Sequence, residues 1–308
     1  MTRPWRFGVA AGLEPPASRA AWLERVHRID GLGYDVLAMP DHLGIWPPLT
    51  PLVAAAEASA RLRFATHVLN NEFHNPVLLA RDAACADVLT DGRLELGFGA
   101  GHAQDEFEAA GLAYERPGQR VGRLAEAVPI VQRLLAGEQL TSDGVYRLRD
   151  AALGIAPAQS KVPIMVGGNG DRVLSVAARH ADIVSLVGFT SGTRRAHTDL
   201  SHFTWAGLAD RLAFVADRAG GRSADIERSL LVQRVVVTNA AHVVAEELAA
   251  ETSMPAETFL DSPFVLIGSE ERITEQLTRL REEHGVTYVV VFESSAEALA
   301  QAFERLRS

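Results

Sequence analysis

Cysteine is almost missing from this 308-residue chain: Cys85 is the one thiol. That excludes an intrachain disulfide and any metal site built on several cysteines. Lysine is equally scarce, with Lys161 alone, so arginine carries nearly all the positive charge. The formal net charge is −9, with a sequence pI of about 5.6. Such a balance argues against non-specific binding to nucleic acid or to an anionic membrane, while leaving room for a local basic pocket. No window approaches 18 uninterrupted apolar residues, so no transmembrane helix is expected. Met1 leads directly into the apolar run Phe7–Ala11, without a charged stretch ahead of a long apolar core, and no signal peptide is expected; the expected location is cytoplasmic. A Gly-x-Ser-x-Gly elbow, a phosphate-loop lysine and an i, i+4 histidine pair are also missing. These absences disfavour serine-elbow hydrolases, loop-type nucleotide hydrolases and zinc proteases of the helical type.

What remains is ordinary globular composition: 47% hydrophobic and 22% charged residues. Short apolar runs alternate with longer amphipathic ones, the pattern of a parallel sheet with crossover helices. Strands are predicted at Arg6–Ala10, Val36–Met39, Arg63–Leu69, Leu94–Gly99, Ile164–Gly167, Ile183–Val187, Leu230–Val237 and Tyr288–Phe292. Helices are predicted at Ser18–Leu32, Thr50–Ala60, Pro76–Leu89, Pro117–Leu135, Asp171–His180, Trp205–Ala219, Ala241–Ala250, Ser269–His284 and Ser295–Leu306. Pro76 suits a first helical turn, and Ser269 before Glu270 and Glu271 suits an N-cap. Eight such units favour a closed (β/α)8 TIM barrel with insertion loops over an open α/β sheet, all in one domain spanning residues 1–308. Gly137–Val162 is read as a hairpin around Asp143-Gly144, Gly188–Thr204 as a lid-like loop, and Thr252–Pro263 as holding a short helix. Cys85, inside the third predicted helix, is expected to be a buried structural thiol.

Barrel enzymes carry their chemistry where strands end and loops begin. Asp41-His42 follows the second strand. A carboxylate beside an imidazole either tunes the ring or faces a ligand with it, and histidine suits proton transfer near neutral pH. Helix capping by Asp41 and a solvent-facing His42 is the alternative. Asn70-Asn71-Glu72-Phe73-His74-Asn75 follows the third strand, with amides able to donate and accept toward a heteroaromatic ring, or simply to shape the turn. Gly97-Phe98-Gly99-Ala100-Gly101-His102-Ala103-Gln104-Asp105-Glu106-Phe107 follows the fourth, where alternate glycines would let a flat ligand approach the backbone. Gly167-Gly168-Asn169-Gly170 precedes a helix after the fifth strand, a place for either phosphate or a tight turn.

Together, in this order, these stretches resemble the bacterial luciferase-like superfamily of (β/α)8 oxidoreductases. The most specific are Ala38-Met39-Pro40-Asp41-His42, Val68–Pro76, Leu78–Arg81, Asp91–Gly101 and Leu266–Ser269. The details are most similar to the branch that uses the deazaflavin coenzyme F420 in actinobacteria. The resemblance implies hydride transfer between F420 and a small organic substrate. It gives His42 a proton-carrying role, with Asp41 beside it and His102 as a second donor where some relatives carry a glutamate. It places a non-prolyl cis peptide near His67-Val68 or at the next bond, and ring contacts at His67, Val68 and Asn70. Ala100, Gly101 and Asp105 would line the same pocket, and Gly168, Asn169 and Gly170 would hold the cofactor's phosphate. Trp46, Phe73 and the Gly188–Thr204 loop would face substrate, and Arg194 and Arg195 would meet the cofactor's acidic tail. The alternatives are a flavin mononucleotide (FMN) monooxygenase served by a separate reductase, and a non-catalytic flavin-binding barrel. A homodimer is expected, with no nucleic-acid, membrane or metal partner.

Overall fold

A computed structural model describes residues 3–191, 198–252 and 254–307. Eight parallel strands form the barrel: β1 (Arg6–Ala10), β2 (Val36–Met39), β3 (Arg63–Thr66), β4 (Leu94–Gly99), β5 (Ile164–Gly167), β6 (Ile183–Leu186), β7 (Glu227–Val232) and β8 (Val286–Phe292). Each pairs with its neighbours in chain order, β1 pairs with β8, and the β3–β4 pairing completes the ring. A short extension of β3, Leu69–Asn70, runs along the end of β4.

Two apolar cores result from the two-residue alternation of the strands. Inside the ring, Ala10, Val36, Ala38, Ala65, Met165, Ile183, Tyr288 and Val290 pack together. Outside it, the opposite strand faces meet the helices through residues such as Phe7, Trp22, Phe64, Leu124, Leu174, Leu208 and Phe303. At the amino end of the barrel, Arg6 pairs with Glu227 at 2.6 Å and with Glu95, which also takes Arg63 at 2.5 Å. Glu95 is 1% exposed and Glu227 is buried, while their arginine partners remain part-exposed, so the two buried carboxylates are balanced by guanidinium groups at the edge of water.

The helix ends follow local chemistry. Ser18 and Ser269 accept from Ala21 N and Arg272 N as N-caps, and Asn75 caps the helix opened by Pro76. Predicted helices Pro117–Leu135, Asp171–His180 and Trp205–Ala219 are observed with those bounds. The hairpin forms as Leu140–Asp143 against Arg147–Ala151, and a helix forms at Ala256–Leu260.

Three expectations are corrected. The predicted seventh strand is two strands: after Val232 the chain leaves the ring, and Arg234–Val237 pairs in parallel with Val265–Gly268, a strand absent from the predicted set. The third strand breaks after Thr66 and resumes at Leu69. Cys85 is exposed, because the helix Pro76–Leu89 turns Leu79, Ala80, Ala83, Ala84 and Ala86 inward. Among the described residues, no helix is long and apolar enough to cross a membrane.

Candidate active site

Asp41 and His42 follow β2 directly, yet their side chains serve different partners. Asp41 accepts the backbone N–H of Asn70 at 3.0 Å and lies 2.8 Å from His74 Nε2. It therefore ties the loop after β2 to the end of β3. Neither tuning of His42 by its neighbour nor helix capping describes it. His42 instead meets Glu106: Nδ1 lies 2.7 Å from Oε1, while the second carboxylate oxygen accepts Leu43 N at 3.2 Å. A carboxylate accepts, so Nδ1 of the neutral ring carries the hydrogen and Nε2 keeps its lone pair. Nε2 has no hydrogen-bond partner among the described residues.

Glu106 was not singled out from the sequence, although its neighbour Asp105 was. It rides on the short helix Gln104–Ala109 immediately after the glycine loop that follows β4. Asp105 is exposed in the same first turn. His102 stands edge-on to His42, with ring centroids 5.5 Å apart and planes at 88°. Loss of water around its ring holds His102 below the usual imidazole range, reinforced by His42 and Arg120 and opposed by Glu106 and Asp105.

Arg120, also unanticipated, is buried and supports this loop. It donates to Ala100 O at 3.3 Å and to Glu115 O, and lies 4.2 Å from the Tyr114 ring centre. Tyr114 in turn donates its hydroxyl to His102 O at 3.0 Å.

The bond between His67 and Val68 is cis. His67 is buried, with Nε2 2.9 Å from Ser185 Oγ on β6, and burial pushes its pKa down to about 4. Val68 projects over three glycines. A Cβ on Gly99 would fall 2.7 Å from Val68 Cγ2, and those on Gly167 and Gly97 would fall 3.0 and 3.2 Å from Cγ1. Of the glycines expected to open the backbone to a flat ligand, Gly99 instead faces Val68, and a Cβ on Gly97 would first collide with the backbone oxygen of Thr66. Gly101 does match a close approach. Its φ is +71°, and a Cβ there would collide with Asn70 Oδ1 and lie 2.8 Å from Phe107 Cζ.

Asn70 is buried and receives Glu72 N at its side-chain oxygen, 3.2 Å away. Tyr146, between the strands of the hairpin, reaches Asn71 Nδ2 at 3.3 Å, and Arg123 pairs with Glu72. Phe73 tilts against Phe107 at 5.7 Å. Trp46 is half-buried and meets Trp22 edge-on at 6.2 Å, with no ring contact to His42 or His102 among the described residues. Arg194 and Arg195 lie outside the described residues.

On the same carboxyl rim, Gly168-Asn169-Gly170 leads into the helix Asp171–His180. Gly168 has φ +154°, and a Cβ there would sit 2.8 Å from Val173 Cγ1. Gly170 is the N-cap and supplies no side-chain bond. Asn169 is 3% exposed, and neither its Nδ2 nor its Oδ1 has a partner. A buried amide left unpaired is costly, and at a bare helix start it matches a ligand with anionic oxygens.

Residues 4–288 match the family model described as luciferase-like monooxygenase. An F420-dependent glucose-6-phosphate dehydrogenase of Microbacterium testaceum is 33% identical over 192 residues, covering 59% of this chain and 56% of the relative. A 4-hydroxyprotoasukamycin monooxygenase of Streptomyces nodosus subsp. asukaensis is 31% identical over 163 residues, covering 50% of this chain and 43% of the relative. The chain spans about half the length of these curated relatives. In fold it is similar to an F420-dependent secondary alcohol dehydrogenase in complex with an F420-acetone adduct, at TM-score 0.78 and 18% identity over 99% of this chain and 100% of that one. With the barrel, its rim and the match over nearly the whole length in agreement, the chain belongs to the luciferase-like monooxygenase family.

Proposed function

We propose that this chain is an oxidoreductase that moves a hydride between coenzyme F420 and a small organic substrate. The observation that carries the reading is the unpartnered Asn169 amide at a glycine-flanked helix start, on the same rim as a histidine with one free ring nitrogen. A phosphate-bearing cofactor fits the first feature and proton transfer the second. The resident group would supply hydride exchange at its ring.

The chain's own residues supply binding and proton handling. Gly168, Asn169 and Gly170 hold the phosphate with backbone N–H groups and the Asn169 amide. His67, Val68, Asn70, Ala100 and Gly101 line the ring, with Asp105 at the pocket's edge. Neutral His67 adds no charge beside it. His42 takes a proton from a substrate hydroxyl at Nε2 while its Nδ1–H stays donated to Glu106, whose carboxylate stabilises the imidazolium. His102, neutral beside it, is the second proton carrier. The carboxylate that some relatives place at position 102 is here one helical turn on, at Glu106, and engaged with His42. Trp46 and Phe73 bound the substrate side, and Asp41 fixes the β2 and β3 ends through His74 and Asn70. A homodimer in the cytoplasm completes the proposal.

Titration of purified protein with oxidised F420 and with FMN, followed by cofactor and tryptophan fluorescence, tests it. Saturable F420 binding is expected, with FMN at least tenfold weaker. The reverse order would replace this reading with a reduced-flavin monooxygenase.

A further inference from the structure

An open depression of about 570 Å³ is lined by Arg116, Gly118, Gln119 and Arg172. Arg172 is two residues beyond Gly170, in the first turn of the Asp171–His180 helix. Its guanidinium lies across Gly118, where a Cβ would collide with Nη1. Arg116 is the N-cap of the neighbouring helix Pro117–Leu135, whose first turn also lacks a side-chain cap.

The charges around this depression are unevenly committed. Each arginine directly follows an acidic residue, Glu115 or Asp171, that is engaged elsewhere. Glu115 pairs with Arg123 at 3.1 Å, and Asp171 pairs with Arg211. Neither Arg116 nor Arg172 has a carboxylate or carbonyl partner among the described residues. In a chain of net charge −9, two guanidinium groups thus face one depression uncompensated, about a helical turn from the phosphate cradle.

Resting on the F420 reading, we propose that Arg116 and Arg172 form a carboxylate clamp for the acidic oligoglutamyl tail of the cofactor. Guanidinium groups suit that partner because they present paired donors to planar carboxylates. The Gly118 backbone leaves room for the Arg172 fork.

Three probes separate the contributions: the deazaflavin riboside without phosphate, the phosphorylated form without glutamates, and the full oligoglutamyl coenzyme. Dissociation constants are measured by fluorescence for the parent protein and for R116Q/R172Q, at low and high salt. The parent is expected to bind the oligoglutamyl form about tenfold more tightly than the glutamate-free form at low salt. The double variant is expected to lose that margin and much of its salt dependence, while its affinity for the riboside stays within twofold. R172K, which keeps charge but not the fork, should retain part of the margin. Unchanged melting temperatures and circular dichroism exclude misfolding as the cause. Equal parent affinity for the two phosphorylated forms overturns the clamp and leaves the cofactor reading standing. A loss in the variant that is equal for both forms assigns the arginines to the phosphate and also overturns it. Failure of the parent to bind any probe overturns the cofactor reading and the clamp with it.

Discussion

At the scale of single residues, the site depends on what orients His42. Replacing His42 by alanine is expected to lower kcat by about 10²–10⁴-fold, the span of a general base, while the Kd for F420 stays within about threefold. Glu106→Gln keeps the shape but offers Nδ1 a weaker, neutral acceptor. We expect kcat to fall by about ten- to a hundredfold with an altered kcat–pH profile. An unchanged profile in E106Q would remove Glu106 from the mechanism. His67 gives a separate pH signature. Its folded pKa is about 4 against an ordinary value of 6.5. Between those values the unfolded chain binds a proton that the folded chain refuses. Stability is therefore full above about pH 6.5 and declines as pH falls toward 4, by about 2 kcal/mol at pH 5 from this residue. Urea unfolding at pH 7.5 and 5.0 should show a smaller drop for His67→Gln than for the parent.

At the scale of elements, strand periodicity and helix ends were legible, and so was the site's framework. The runs at Val36–Met39 and Leu94–Gly99 and the glycines before Asp171 located three of the rim loops. What escaped was contact across the rim. Nothing in the spacing shows that Glu106, 64 positions after His42, reaches back to its Nδ1, or that Arg120 supports Ala100. Pattern also misread Cys85, because a helix rich in alanine has no distinctive apolar face from which to judge which side is inward. Arg234–Val237 continues the apolar run of β7 in sequence but swings out to a partner 31 residues on, a tertiary choice that a local pattern does not encode. The β3–β4 junction gives the test at this scale. Gly99→Ala places a methyl 2.7 Å from Val68 Cγ2, and is expected to destabilise by about 1–3 kcal/mol in urea unfolding. Val68→Ala in the same chain should restore much of that loss, a coupling readable in a double-mutant cycle.

For the whole molecule, the two ends of the barrel divide the work. The amino end is closed by Arg6, Arg63, Glu95 and Glu227, and the carboxyl end carries His42, His102 and the glycine-flanked Asn169 proposed to hold phosphate. Removing one member of a buried ion network leaves the others uncompensated. Glu95→Gln should cost about 3 kcal/mol of stability, while kcat and the F420 affinity of the folded fraction stay near parental values. Comparable losses of activity and stability in that variant would show the two ends to be coupled.

The meeting of Val68 with Gly99 and Gly167 has an evolutionary consequence. The Val68 side chain, in the break between Thr66 and Leu69, occupies volume that Gly99 on β4 and Gly167 on β5 surrender, so these three positions share a single allowance of space, whereas a Cβ on Gly97 would first collide with the backbone oxygen of Thr66. A descendant that enlarges Gly99 or Gly167 must first shrink position 68, and one that trims position 68 leaves a void that invites a methyl from across the ring. Among relatives that keep this barrel, these sites should drift as a set, whatever substrate each lineage has come to use.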